Sequence, residues 1–252
     1  MNYDVIVIGA TFTAAGLVQA YGDKCLVLER RPQAGYEFLN AAKFGTDYAE
    51  KLVSEEAIAL EEQFVEKNAF DGDRICLFDC ASSYYKLLEG KNVLLNMEIV
   101  SVEKIDGGFE VTAHGVSGYR TFTAKKVIDT TVHKDMVEAK TLNLLVNTEE
   151  ENPAPLPADL KTEKWGYEVD TLIKCAVAAE AGYIEARRAV AELIDTLPAE
   201  YRVAFVADCF DYELKPGYPV EKDGIVYMPS VAYKNPLLAF DAGVLYAKGG
   251  AL

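Results

Sequence analysis

The sequence predicts an α/β fold: a parallel sheet carrying a three-stranded antiparallel meander, joined to a small second α+β domain. Three observations predict it. The run Asp4-Val5-Ile6-Val7-Ile8 is apolar without alternation after its first residue, as in a parallel strand covered on both faces. A glycine turn and a small-residue helix follow, and lead at once into a second apolar run, Cys25-Leu26-Val27-Leu28-Glu29, the short crossover of a βαβ unit. Further along, short strand-like runs alternate with Gly-rich hairpin turns.

The elements follow in order. Residues 4–8 form the first strand, and residues 13–21 a helix in which Ala14, Ala15, Gly16 and Ala20 allow close packing. Gly22-Asp23 ends that helix. Strand two covers residues 25–29, and Arg30-Arg31-Pro32-Gln33-Ala34-Gly35 is loop. Residues 47–67 are helical in composition, with Leu52, Ile58, Leu60, Phe64 and Val65 among acids, and residues 81–88 are a further helix. Residues 93–99 return to the sheet. The meander consists of residues 101–105, 109–113 and 119–123, joined by Asp106-Gly107-Gly108 and Gly115-Val116-Ser117-Gly118, and a buried strand resumes at 126–131. Residues 147–157 combine acids and prolines and read as linker or exposed loop. A helix at 181–196, strands at 201–210 and 224–229, and a last helix capped by Asn235 with Pro236 in its first turn complete the chain.

Composition sets limits on what the chain does. Its 252 residues suffice for one large domain or two small ones. Half are hydrophobic and 26% charged, the balance of a folded globular protein. A net charge of −15 argues against nucleic-acid or anionic-membrane partners, whose phosphates it repels. Five cysteines, with no C-x-x-C, and only two histidines suggest no metal set; reduced, mostly buried thiols are expected. Val5 to Gly22 carries no charge, but Asp4 precedes it and Gly, Thr and Gln interrupt it, unlike a signal peptide or a membrane span. The expectation is a cytoplasmic protein. The fifteen tyrosines are expected mainly in the core and at interfaces, with an aromatic-lined substrate pocket in residues 141–240 as the alternative.

Gly9-Ala10-Thr11-Phe12-Thr13-Ala14 stands where a G-x-G-x-x-G fingerprint would lie, with Glu29 at the tip of the next strand. Such a turn presents helix-terminal amides to a pyrophosphate and the acid to a ribose. This order of parts resembles the FAD-dependent oxidoreductases with a glutathione-reductase-type, Rossmann-like FAD domain. The resemblance runs from Asn2 to Thr131 and through the C-terminal strand and helix. Ile184-Glu185-Ala186-Arg187-Arg188 and Pro229-Ser230-Val231-Ala232-Tyr233 are also similar to segments of larger flavoproteins. It implies a discontinuous FAD or dinucleotide-binding domain from residues 1–35, 92–140 and 225–252, a helical insertion at 36–91, and a trimmed substrate or interaction domain at 141–224.

By that resemblance the pyrophosphate would lie on the Gly9–Ala14 amides, the adenosine ribose on Glu29 beside Arg30, and the adenine against the backbone near Ile99. Gly9 holds the tight-turn glycine and Ala14 an accepted replacement for the third. Thr11 replaces the second glycine, either pushing the phosphates outward or donating its hydroxyl to one of them. A Thr-Gly signature after the returning strand reads Thr131-Val132 here, followed by His133, and the Gly-Asp signature has no match, since Asp241-Ala242-Gly243 lies inside the last helix.

Three functions remain open on the sequence. The first is a working flavoprotein, an FAD-dependent oxidoreductase in which FAD supplies the redox chemistry. It would act on a small-molecule substrate, alone, as a homo-oligomer or with a partner subunit, and no residue of the chain is assigned a catalytic role. The second is a non-catalytic relative without FAD, acting as a subunit, a scaffold or a binder of ADP or AMP. The third is an NAD(P)-binding domain, with Arg30 and Arg31 near a 2′-phosphate, against which the meander argues.

Overall fold

A computed structural model describes residues 2–150, 153–164 and 170–249. Strand β1 (Asn2–Ile8) pairs in parallel with β2 (Cys25–Leu28) on one side and β6 (Gly118–Asp129) on the other. Beyond β2 lies the two-residue β3 (Val93–Leu94); beyond β6 lies β13 (Ile225–Tyr227), also parallel, with β12 (Val220–Lys222) as its hairpin partner. β4 (Glu98–Ile105) and β5 (Gly108–Gly115) extend the sheet as an antiparallel meander onto the first half of β6. The runs expected at 119–123 and 126–131 thus belong to one strand, which ends at Asp129. Its start pairs with β5, and from Thr123 onwards it pairs with β1.

β1 is covered on both faces, as its apolar run requires. Val5 and Val7 join a core made with the helices, whereas Ile6 joins Leu26, Leu28, Phe109 and Val111 under the meander. On the helical face lie α1 (Phe12–Tyr21), α2 (Glu55–Glu66), α3 (Leu77–Leu88) and α5 (Pro236–Ala247). α1 and α5 meet at Gly16 and Gly243. A methyl group at Gly16 would overlap the Phe240 carbonyl oxygen, and one at Gly243 that of Thr13. Asn235 caps α5 as expected, its side chain accepting from the Leu238 amide at 2.9 Å.

Four expected elements differ, and one of them, the strand expected at 201–210, covers only Arg202–Val206. Helix α2 begins at Glu55 rather than near Asp47, because the Asp241 carboxylate holds the Val53 and Ser54 amides at 2.8 and 2.9 Å ahead of the Ser54 cap. α3 starts at Leu77, earlier than 81. The strand at 93–99 is broken: Asn96 takes φ 56°, ending β3 and turning the chain into β4.

The second sheet is antiparallel. Its central strand β7 (Val137–Asn147) carries β9 (Asp170–Ala176) on one edge, with β8 (Lys161–Lys164) outside it, and β10 (Arg202–Val206) and β11 (Asp211–Leu214) on the other. β7 spans residues on both sides of position 140. α4 (Tyr183–Ile194) sets Ala186 and Val190 against Leu142, Leu144 and Val146. Among the described residues no helix is long and apolar enough to cross a membrane.

Candidate functional site

The C-terminal ends of β1, β2 and β6 converge on one edge, the place where open α/β sheets bind ligands. Gly9 turns the chain at φ 91°, and a Cβ there would lie 2.5 Å from the Thr131 methyl. Only glycine meets both demands. A small cleft of about 140 Å³ lies beside it, lined by Gly9, Glu29, Arg30, Ile99, Thr131 and Val132. Those residues, separated by more than a hundred positions, are six of the eleven expected cofactor contacts. The cleft is well below the ~300 Å³ at which ligand pockets usually begin.

The other five form the turn and first helical turn, and four of their amides are already engaged. The Ala10 amide donates to the Glu29 carboxylate at 2.9 Å, and the Arg31 amide donates to its other oxygen at 2.7 Å. Glu29 is 1% exposed, and burial raises its pKa despite those two amides. Thr11 caps α1: its hydroxyl accepts from the Ala14 amide at 3.1 Å and donates to the Thr130 hydroxyl at 2.8 Å, which donates to the Ile8 carbonyl at 2.9 Å. Phe12 is buried, stacked on Tyr84 with ring centroids 4.1 Å apart, and the Tyr84 hydroxyl donates to the Ala10 carbonyl at 2.8 Å.

Sequence reasoning did not find the residues that complete this helix end. The Phe12 amide donates to Glu37 Oε1 at 2.8 Å. Ser230 accepts from the Thr13 amide at 3.3 Å and donates its hydroxyl to the same Glu37 oxygen at 2.8 Å. Burial pushes the Glu37 carboxyl up to about 7, against the lowering influence of the Phe12 amide and Ser230. The one signal in the sequence was an acid set among apolar residues, Tyr36-Glu37-Phe38-Leu39.

A helix offers its first-turn amides to an anion because they have no partner within the helix. Here all three, Phe12, Thr13 and Ala14, donate to the protein's own side chains. In this conformation the residues present do not fit a dinucleotide's diphosphate at the α1 terminus. A carboxylate occupies the position that a phosphate would need.

A second feature lies beyond Val132. His133 Nε2 is 2.8 Å from Oδ2 of the buried Asp129, whose other oxygen accepts from the Thr131 amide and hydroxyl at 2.9 and 2.7 Å. The Asp129 bond raises the His133 pKa, opposed in part by burial. The imidazole borders an open cavity of about 510 Å³ that includes Val132, Lys140, Val177 and Tyr212. Among the described residues no three His, Cys, Asp or Glu side chains are grouped to hold a metal. All five cysteines are free thiols, and burial pushes that of Cys25 up to about 12.

No protein-family model matches the sequence, and no curated protein matches it. Solved structures do match in fold. OxyS anhydrotetracycline hydroxylase from Streptomyces rimosus superposes with a TM-score of 0.64 at 13% identity, over 98% of this chain and 61% of its own. BexE, studied for oxidation during BE-7585A biosynthesis, gives 0.61 at 13% identity, over 100% of this chain and 64% of its own. The myxobacterial chondrochloren halogenase CndH, described as a variant of FAD-dependent halogenases, gives 0.55 at 16%, over 97% and 73%. The chain therefore has the fold of these enzymes and spans less than two thirds of the first two. At such identities the likeness is one of architecture.

Proposed function

We propose that this protein is an oxidoreductase-like flavoprotein whose cofactor is FAD, with the adenosine end of the nucleotide at the cleft between β1, β2 and β6. The observation that carries the reading is the convergence of Gly9, Glu29, Arg30, Ile99, Thr131 and Val132 on that one cleft, at the strand ends of a fold shared with FAD-dependent halogenases and with hydroxylases. While the helix end is closed, Ala10, Thr11, Phe12, Thr13 and Ala14 would flank the diphosphate rather than cradle it, because the Ala10, Phe12, Thr13 and Ala14 amides are engaged. A small-molecule substrate is part of this reading, as is the division into a discontinuous FAD domain, an insertion at 36–91 and a trimmed substrate domain at 141–224.

The saturated α1 amides favour a second reading, a non-catalytic relative that has given up FAD and serves as a subunit, scaffold or ADP or AMP binder. The absorbance of the purified protein separates the two. A flavin spectrum that survives gel filtration, or one restored by added FAD, supports the first. Colourless protein that takes up no FAD while its melting temperature still rises with ADP refutes it.

A further inference from the structure

Glu37 differs from an ordinary helix cap in three ways. α1 already has its own cap in Thr11, one residue before the helix, whereas Glu37 reaches the Phe12 amide from 25 residues away. Capping needs one acceptor oxygen, yet Glu37 brings two, and its Oε2 is buried with no hydrogen-bond partner among the described residues. A buried carboxylate with an unpaired oxygen is a costly way to satisfy an amide, since a neutral side chain would do so without a charge. The Thr13 hydroxyl, on the same first helical turn, is buried and equally without a partner. The closed helix end thus holds an unused hydroxyl donor and a poorly satisfied anion together. A diphosphate has acceptor oxygens enough for both amides and that hydroxyl.

We propose that Glu37 is a displaceable internal anion: with Ser230 it keeps the α1 terminus closed, and a dinucleotide diphosphate ester enters by exchanging with its carboxylate for the Phe12 amide and with the Ser230 hydroxyl, which Glu37 holds, for the Thr13 amide. The ligand's chemistry rests on the flavoprotein reading above. The exchange is linked to protonation. The ionisable groups around Glu37 are Glu29 at the end of β2, Tyr36 on its own loop, Tyr84 on α3 and Cys209 ahead of β11. Burial pushes both tyrosines and Cys209 up, so they remain neutral, and Glu29 adds to the pressure on Glu37 to take a proton. Burial holds the proton on Glu37 in the closed site, and a displaced carboxyl returns to water and its ordinary range, so the exchange releases that proton and is favoured as pH rises.

The test titrates the whole protein and Glu37→Gln with ADP-ribose and, in parallel, with FAD. Both probes carry diphosphate diesters, whose charge does not change near neutrality. The wild type should bind ADP-ribose about tenfold tighter at about pH 8.5 than at about pH 6, the scale of releasing one proton held at about 7. Glu37→Gln should lose that pH dependence and bind at both pH values as weakly as the wild type does at the lower. Wild-type affinity that ignores pH, or no ADP-ribose binding at all, overturns the exchange, and so does a folded Glu37→Gln that matches the wild type at the higher pH. ADP-ribose exchange without FAD uptake would keep the inference and remove the flavoprotein reading. FAD uptake indifferent to both Glu37 and pH would do the reverse.

Discussion

Replacing Glu37 with Gln should change how stability depends on pH, whether or not a ligand ever binds. The carboxyl is fully buried and its pKa stands at about 7, raised from the ordinary 4.5 by loss of water. The folded protein therefore holds this proton more tightly than the unfolded chain does. Between those two values the folded state carries more protons, so stability falls as pH rises. At 1.36 kcal/mol per pH unit the full contribution is about 3 kcal/mol, present below pH 4.5 and lost by the time pH has passed 7. Gln cannot titrate, so the Gln variant lacks this slope. Other groups do titrate in the window. His133, raised by Asp129, adds stability that is lost as pH rises above the ordinary histidine range, and Glu29 slopes the same way as Glu37. Subtracting the two proteins' curves removes the His133 contribution and most of that from Glu29. Urea unfolding at half-unit steps from about pH 4.5 to 8 supplies both curves. The wild type should lose about 3 kcal/mol relative to Glu37→Gln across the range. Parallel curves would mean that Glu37 is not buried as an acid at the α1 terminus, and the account of the closed site would fail.

Other perturbations test the scaffold around it. Gly16→Ala sets a methyl against the Phe240 carbonyl at the α1–α5 crossing, and should cost about 1–3 kcal/mol or more in chemical unfolding, because backbone must move. Asp241→Ala strands the Val53 and Ser54 amides; a loss of about 1–3 kcal/mol is expected, with Asp241→Asn intermediate by the same assay. Asp129→Asn removes the bond that raises His133, so the His133 ring should titrate at lower pH by NMR.

What was legible in the sequence was whatever depends on neighbours along the chain. β1, α1 and β2 followed from unbroken apolar runs with a glycine between them, and α5 from Asn235-Pro236, because strand burial and helix capping are written within a few residues. β7 was missed. Its first half, Glu138-Ala139-Lys140-Thr141, is polar and its buried half is interrupted by Asn143, which looks like a surface residue but donates to the Ala41 and Ala42 carbonyls at 3.0 and 3.2 Å. The break at Asn96 was hidden for a related reason: a single left-handed residue leaves composition unchanged. At the site, Gly9 and Glu29 could be read from their spacing. Glu37 and Ser230 could not, since they reach α1 from 25 and 217 residues away and no local pattern announces such a contact.

Thr11 takes on a different meaning once the helix end is seen closed. The second glycine of the fingerprint serves close approach by a phosphate, and while the terminus stays closed no phosphate approaches its paired amides. A β-branched residue is then admissible, and its hydroxyl caps α1 and ties it through Thr130 to the end of β1. The missing glycine, the added acid and the Ser230 bridge are therefore one arrangement rather than separate defects. Its parts differ in how firmly they are held. Thr11 is fixed by the local geometry of the turn it caps. Glu37 lies on a loop outside any helix or strand and leaves one oxygen unpaired. If this edge of the sheet opens to a ligand, Glu37 is the side chain whose departure leaves the fold standing.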